Sequence, residues 1–577
     1  MDAIETTELN DVIRRVMRGV RSFGKVETKS LSSDIEFLRR CLSPLNVGDM
    51  FLSTASLQAV SLVFDYEDQH GGAFSKRLPV LGELLFKNRD TRVLKRFHDL
   101  AAGEVRTKWM RQIIWVMMAH ALWCHRKNDL DKMDRILGAA KNLLDETLLR
   151  EADRPGTLAR WNYYRGLQLR DQGDLDGATA CFVESFERAR ERHSQRASSP
   201  SRNNDLEVEE AFTRACLARI QAFGFGEVAF FKGDLAHSAA WFRTALTTLE
   251  GAGLNRWKLS VKVYLFGSQV LNSPLTKEGE NRIAAAKEEL RRLAVLLKKL
   301  HLAYSNLAQA FANLGQVRLA QIRDIVQGGS GLQVDISLPV DDIPDGSPGK
   351  ARIPADGLVS SFETHGAISA LISSINGEIF LRTKCLGACQ EEINRIRRDF
   401  PSYAFAQVEA ELLQAQLYIF DGHRQRAEAI LNKDPSLDYR TNRTQRALWF
   451  ALACLLQFDL KRTLLAHVLA DRARSVGKGV GDGFVQHVIA LTSRRLITPT
   501  TSVIPMPYQG EPPNFSIDDN LDAAYTNMIR SALRSKGLEG VKDADELALV
   551  LGVSRPTVYK KIPKRILGLF FKEVAER

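Results

Sequence analysis

WNYYRGLQLRDQGDLDGATACFVESF, residues 161–186, spells a helix, a tight turn and a second helix. Its first half carries apolar and aromatic residues at helical spacing, and no run alternates as a strand would. Gly166 sits where that helix must let a neighbour come close. Gly173-Asp174 makes the turn, glycine supplying a backbone conformation closed to most residues. Ala178 and Phe182 then fall on one face of the second helix. FGFGEVAFFKGDLAHSAAWFRTAL, residues 223–246, repeats the pattern with Gly226, Gly233-Asp234, Ser238, Phe242 and Ala245 in the same places. Two helices that each bury one face against the other are the unit of an all-α fold.

The small and large positions of both copies resemble the tetratricopeptide repeat (TPR), whose antiparallel helix pairs stack into a solenoid. Weaker copies lie in phase. Residues 302–325 place Ala308, Phe311, Gly315 and Ala320. Residues 412–431 place Ala415, Tyr418, Gly422 and Ala427. Residues 117–137 place Ala121, Cys124, Asn128-Asp129 and Leu137, and residues 451–469 form a sixth candidate. The turn glycines 173, 233, 315 and 422 lie 60, 82 and 107 residues apart, so the array departs from the regular 34-residue period. The resemblance implies an all-α, TPR-like solenoid offering a surface to a protein or peptide partner.

Three stretches interrupt the helical pattern. SQRASSPSRNND (194–205) reads as a polar loop. Residues 327–357 are rich in Gly, Pro and Asp, cannot be helical throughout, and separate a first repeat segment (31–326) from a second (358–497). Residues 498–516 hold five of the chain's 18 prolines and read as an extended spacer. A basic segment, 1–30, precedes the repeats, and a C-terminal module, 517–577, follows the spacer.

In that module, LDAAYTNMIRSAL (521–533) carries an amphipathic stripe and ends before Gly537. Asp543 or Asp545 can cap a short helix bearing Leu547, Ala548 and Leu551. Gly552 permits a tight turn, Ser554 is a good N-cap, and Pro556 is tolerated in a first helical turn. Val558 and Ile562 face inward, while Arg555, Thr557, Tyr559, Lys560 and Lys561 face out. Apolar residues inside with Arg, Lys and hydroxyls outside is the pattern of a recognition helix. From Arg555 to Arg565 there are five basic residues and no acidic ones.

The string LGVSRPTVYKKI (551–562) resembles the C-terminal helix-turn-helix of the Fis family, also found at the end of many bacterial response regulators. Ala548, Leu551, Gly552, Arg555, Thr557, Lys560, Lys561 and Ile562 match its pattern. Leu547 stands where a second alanine is usual, and GLEGV (537–541) lacks the usual glycine-asparagine pair. The apolar ILGLFFKEVAER (566–577) runs past the family's usual end. The resemblance covers about 45 residues. It implies binding to double-stranded DNA through Ser554, Arg555, Thr557, Tyr559, Lys560, Lys561, Lys564 and Arg565, as a homodimer on a roughly two-fold site.

The whole composition is consistent with a folded, non-membrane protein. The chain has 577 residues, 45% of them hydrophobic and 26% charged, and a net charge of +11. The basic balance favours an anionic partner, though its 80 basic residues are spread along the chain. The most apolar window, 113–124, is too short for a membrane span. MDAIETTELN lacks the features of a signal peptide. Of the seven cysteines only Cys385 and Cys389 are close, and no histidine or second pair completes a zinc site, so the cysteines read as thiols of a reducing cytoplasm.

No phosphate-binding loop, H-E-x-x-H or G-x-S-x-G occurs. GFGEVA (224–229) approaches a dinucleotide fingerprint but falls within a repeat helix with no strand before it. His120, His125, His301, His467 and His487 read as packed or surface residues, and Trp109, Trp115 and Trp123 as core. The basic runs 14–25 and 395–398 read as solvated helix faces. No catalytic, metal or cofactor site is expected. The expectation is a bacterial DNA-binding transcriptional regulator with a partner-binding helical body. Its rival is a non-enzymatic protein-interaction scaffold whose C-terminal module docks a protein.

Overall fold

In a computed structural model of the chain, the residues described are 3–22, 30–42, 54–70, 77–87, 103–146, 154–197, 203–250, 256–298, 302–335, 366–433 and 442–497. Among them every regular element is helical, as expected. The 517–577 module and the 498–516 spacer lie outside the described residues. Residues 3–456 and 469–493, where described, belong to one compact unit. The described part of the second unit is 457–468 and 494–497.

The first helices are α1 (Ala3–Ser22), α2 (Leu31–Leu42), α3 (Thr54–His70) and α4 (Arg77–Lys87). Val12, Val16 and Val20 lie on one face of α1 at spacing four and are buried. The 1–30 segment therefore contributes a core helix, which packs on α2 and α3. The next hairpins are α5 (Gly103–Arg126) with α6 (Leu130–Glu146), and α7 (Arg154–Asp171) with α8 (Leu175–Ala197). Then α9 (Asn203–Arg219) runs through a π-helical stretch, Ile220–Gly226, into α10 (Glu227–Phe231), and α11 (Leu235–Thr248) folds back on it. Three helices follow, α12 (Arg256–Asn272), α13 (Lys277–Lys298) and α14 (Leu302–Val326). After residue 365 come α15 (Gly366–Arg382), α16 (Leu386–Asp399), α17 (Ala404–Phe420), α18 (Arg424–Leu431), α19 (Arg443–Asp459), α20 (Thr463–Gly477) and α21 (Gly483–Ile497).

One backbone device makes most of the reversals. A helix ends on a single residue of positive φ: Asn128 (63°), Gly173 (90°), Gly233 (78°), Lys384 (62°), Gly422 (79°) or Lys461 (61°). The following N–H then reaches back to a carbonyl of the last turn, as Asp174 does to Leu169 (2.9 Å), Asp234 to Ala229 (2.9 Å) and Cys385 to Phe380 (2.8 Å). At three turns that following residue is an aspartate whose carboxylate caps the next helix. Asp129 accepts from the Lys132 N–H (3.0 Å), Asp174 from Gly177 (2.9 Å) and Asp234 from His237 (3.3 Å). The Lys384 turn was not legible in the sequence, because a lysine there carries no turn signature.

The close approaches expected of the glycines occur. A Cβ on Gly166 would lie 2.7 Å from the ring of the fully buried Phe182. On Gly226 it would lie 2.6 Å from Phe242, and the Ser238 hydroxyl donates to the Gly226 carbonyl (2.9 Å). Gly267 receives Phe311 in the same way, a pairing the sequence reading did not pick out.

Two expectations are corrected. Gly315 is no turn glycine: it lies inside α14, because an unbroken run of helix-compatible residues surrounds it and no capping residue follows. Residues 194–205 are not all loop, since α8 extends to Ala197 and α9 begins at Asn203. The charged, helix-favouring residues of ERARERH carry α8 past the point where polarity alone suggested a break.

Residues on both sides of 327–357 pack together. That stretch is described as far as Asp335, and its start is pinned. The Gly331 N–H donates to Asp324 (2.8 Å), and the Val334 N–H to the Arg382 carbonyl (2.8 Å). Farther along, the Asn128 amide donates to the Asp399 carbonyl, the Tyr403 hydroxyl donates to the His125 carbonyl (3.4 Å), and Phe231 packs on Phe405.

Buried charge sits between these layers. Asp171 is 1% exposed and takes His125 Nε2 (2.6 Å) and Arg170 Nε (2.7 Å). Arg170 also donates to Glu227 and to the Phe223 carbonyl (3.2 Å). Burial pushes the Asp171 carboxyl up, but Arg170 and His125 outweigh it and hold it below its ordinary value. A second cluster stacks Arg318 and Arg382 on the Phe484 ring, at 4.6 and 4.2 Å, with Glu378 accepting from Arg318 (2.7 Å). Burial pulls Arg382 down to about 10, against the opposing pull of Glu378.

Gly166→Ala should lower stability. The helix interior gains about 1 kcal/mol from losing glycine, but the methyl strikes a buried ring that cannot retreat, at about 1–3 kcal/mol. A net fall in the thermal midpoint checks this. Asp171→Asn should destabilise the neutral-pH protein by about 3–5 kcal/mol, because it leaves buried Arg170 under-compensated. A depressed carboxyl contributes stability above its unfolded value, and that contribution fades as pH drops through the folded value. The gap between wild type and variant should therefore narrow below about pH 4, as denaturant melts across pH would show.

Candidate functional site

A cavity of about 140 Å³ opens among α1, α3, α5, α7, α8, α9 with the π-helical stretch, and α12. Its walls come from residues as distant in sequence as Met17 and Trp257. Five arginines line it: Arg21, Arg111, Arg160, Arg192 and Arg219. Asp65 is the single carboxylate among the lining residues. The apolar floor includes Trp115, Tyr163, Phe212 and Trp257.

Four of the arginines are placed by local packing. Arg160 binds Asp65 (2.5 Å) and donates through Nε to the Tyr164 hydroxyl (3.1 Å), with its guanidinium 4.8 Å from the Trp115 ring centre. Burial pulls its pKa down, yet Asp65 and Tyr164 raise it above the ordinary arginine value. Arg192 lies 4.6 Å from the Phe212 ring centre, and Gly156 leaves room for its stem, since a Cβ there would come within 2.8 Å of Arg192 Cδ. Arg21 approaches the same ring at 5.6 Å. Arg219 lies 4.6 Å from both Tyr163 and Trp257. Stacking engages the face of a guanidinium and leaves its in-plane N–H edge for hydrogen bonding.

The π-helical stretch begins next to the cavity wall, at Ile220. The wider turn is a local distortion often found at functional sites. It shifts the register of α9 against α10, so Arg219 faces the cavity while Gly224 and Gly226 still meet Phe182 and Phe242.

Polar groups on the wall are mostly satisfied. The Ser185 hydroxyl donates to the Ala159 carbonyl (2.7 Å), and the Trp115 indole to Thr157 (3.3 Å). Ser61 differs. It is 2% exposed, lines the cavity, and its Oγ has no hydrogen-bond partner among the described residues.

The residues expected to bind DNA, Ser554, Arg555, Thr557, Tyr559, Lys560, Lys561, Lys564 and Arg565, all lie outside the described residues. The other singled-out residues are placed as follows. His120 and His125 are buried; burial lowers His120 to about 4, so it is a neutral core residue against Gly82 and Trp123. His487 Nε2 donates to the Ser330 carbonyl (2.7 Å), and His301 is outside the described residues. Trp109 is fully buried; Trp115 and Trp123 are half-buried, and Trp115 forms part of the cavity. Of the 14–25 run, Arg14 pairs with Asp11 and Arg15 with Asp34, whereas Arg21 turns into the cavity. In the 395–398 run, Arg395 and Arg398 pair with Asp399. No disulfide joins any of the seven cysteines. Among the described residues there is no group of three or more His, Cys, Asp or Glu able to hold a metal ion, and no helix long and apolar enough to cross a membrane.

Sequence reasoning missed the cavity. Its arginines share no motif and are spread over nearly 200 residues, from Arg21 to Arg219. The one signal was the aromatic run Trp161-Asn162-Tyr163-Tyr164 between Arg160 and Arg165, which reads equally well as helix surface.

Ser61→Ala should raise the stability of the ligand-free chain by up to about 1 kcal/mol, because it removes a buried hydroxyl that makes no hydrogen bond. A lower melting temperature instead would show that the hydroxyl has a partner. Neither a known protein family nor a curated protein matches this chain.

Proposed function

We propose that the chain is a DNA-binding transcriptional regulator of bacterial type. A TPR-like helical body receives a partner, and a C-terminal Fis-like helix-turn-helix in 517–577 binds double-stranded DNA. The observation that carries this reading is the string LGVSRPTVYKKI (551–562) followed by Pro-Lys-Arg. It combines a turn glycine, an N-cap serine, two inward apolar residues and an outer face with basic and hydroxyl side chains and no acidic ones. Arg555 and Thr557 stand near the start of the recognition helix, where side chains reach base edges. Tyr559, Lys560, Lys561, Lys564 and Arg565 supply phosphate contacts, and Ser554 caps the helix.

The helical body supports the reading from the other side. Its hairpins bury their charge in closed networks around Asp171 and Arg382, which suits a rigid scaffold. The rival reading, a protein-interaction scaffold whose C-terminal module docks a protein, draws on the same body and predicts no sequence preference for DNA.

A gel-shift series against genomic fragments separates the two. The full chain should retain a subset of fragments, and the chain lacking 517–577 should retain none. Arg555→Ala should cost about 1–3 kcal/mol at the preferred site and relax its specificity. Equal, weak, sequence-independent binding by both chains would sink the regulator reading.

A further inference from the structure

The cavity between α1, α3, α5, α7, α8, α9 and α12 has no part in the DNA-binding reading. Its wall is mostly apolar, and Trp115, Tyr163, Phe212 and Trp257 give it flat aromatic surfaces. Its volume of about 140 Å³ is close to that of the engineered apolar cavities, about 150 Å³, that accept a benzene ring. The shape therefore suits one flat ring. The wall also takes in Ile220, the first residue of the π-helical stretch, a distortion often found where a helix serves a site.

The polar groups of the wall set the second condition. Arg160 is taken up by Asp65 and Tyr164, and Arg21, Arg111, Arg192 and Arg219 are each engaged within the protein. Ser185 and Trp115 donate to the Ala159 carbonyl and to Thr157. Ser61 stands apart. It is 2% exposed, and its Oγ has no hydrogen-bond partner among the described residues, a cost that proteins seldom leave unexplained. A serine hydroxyl brings one donor and two acceptor lone pairs and rotates to suit its partner. It matches one neutral polar group.

We propose that this cavity binds a small neutral aromatic molecule: one ring carrying one hydroxyl or carbonyl group. The ring packs against the aromatic walls, and its polar group becomes the partner of the Ser61 hydroxyl. A carboxylate on the same ring is disfavoured, because leaving water costs an anion far more than it costs a hydroxyl and the arginines of the wall are already engaged.

The proposal is independent of DNA binding, since ligand binding is measured on the full-length chain whether or not that chain retains DNA. Calorimetric titration with phenol, toluene and benzoate tests it. Phenol should bind with a dissociation constant of about 1 mM or tighter, and benzoate more weakly than phenol. Ser61→Ala should weaken phenol by about fivefold and leave toluene, which has no group for the hydroxyl, as it was. A variant that merely disturbed the fold would weaken both.

A second variant locates the site. Ala189 is buried on the cavity wall, and Ala189→Leu puts side-chain atoms where the ring would lie. Binding of phenol and of toluene should both be lost in that variant while a cooperative melt shows that it is folded. The proposal is overturned if phenol does not bind, or if benzoate binds as well as phenol. It is equally overturned if Ser61→Ala leaves phenol unchanged or weakens both probes alike, or if folded Ala189→Leu binds phenol undiminished.

Discussion

Asp171 is the constraint on which the helical body turns. A carboxylate removed from water is tolerable only with its hydrogen-bonding capacity filled. Here the partners come from separate elements: His125 from the end of α5, and Arg170 from α7 itself. Arg170 in turn holds Glu227 and the Phe223 carbonyl, which fixes the π-helical stretch and α10. The carbonyl of His125 receives Tyr403 from the residues before α17. One buried charge thus ties three successive hairpins to a segment more than two hundred residues later. The energetic stake is large because the network fails as a unit. Loss of one member strands the others in a medium that cannot solvate them.

The cavity follows from that arrangement. The π-helical turn allows α9 to present Arg219 toward α7 while its continuation still meets α11. Aromatic faces then help hold Arg21, Arg160, Arg192 and Arg219 in place. Around Phe484, Arg318 and Arg382 share Glu378 and close on themselves. Around the cavity, Arg160 pairs with Asp65, and Arg21, Arg192 and Arg219 lie over aromatic rings.

Much of the hairpin architecture was legible because it depends on local requirements. A left-handed residue followed by an aspartate cap needs Gly or Asn and then Asp, and those pairs stand at 128–129, 173–174 and 233–234. A glycine opposite a phenylalanine needs only those two residues at the right spacing, as at Gly166 with Phe182. Legibility failed where the local rule was broken. Lys384 adopts positive φ against its preference, held by packing of α15 on α16. Gly315 carries a turn residue's identity within an uninterrupted helix, where it lets α14 approach Lys287 of α13.

The sequence by itself determined that the body is all-helical, where the turns at 128–129, 173–174 and 233–234 fall, and that Gly166 and Gly226 allow a close helix approach. It also carries the whole case for the proposed C-terminal recognition helix, since Arg555, Thr557 and Lys560 derive their meaning from their spacing in the sequence alone. Only the tertiary structure decided that Arg21, Arg111, Arg160, Arg192 and Arg219 share one cavity, and that Asp171 bonds His125. Caps, turns and amphipathic stripes are set by neighbours within about one or two helical turns. A cavity or a buried charge network is set by which distant helices come into contact. Pairs such as Arg21 with Phe212 leave no periodicity along the chain for a reader of the sequence to find.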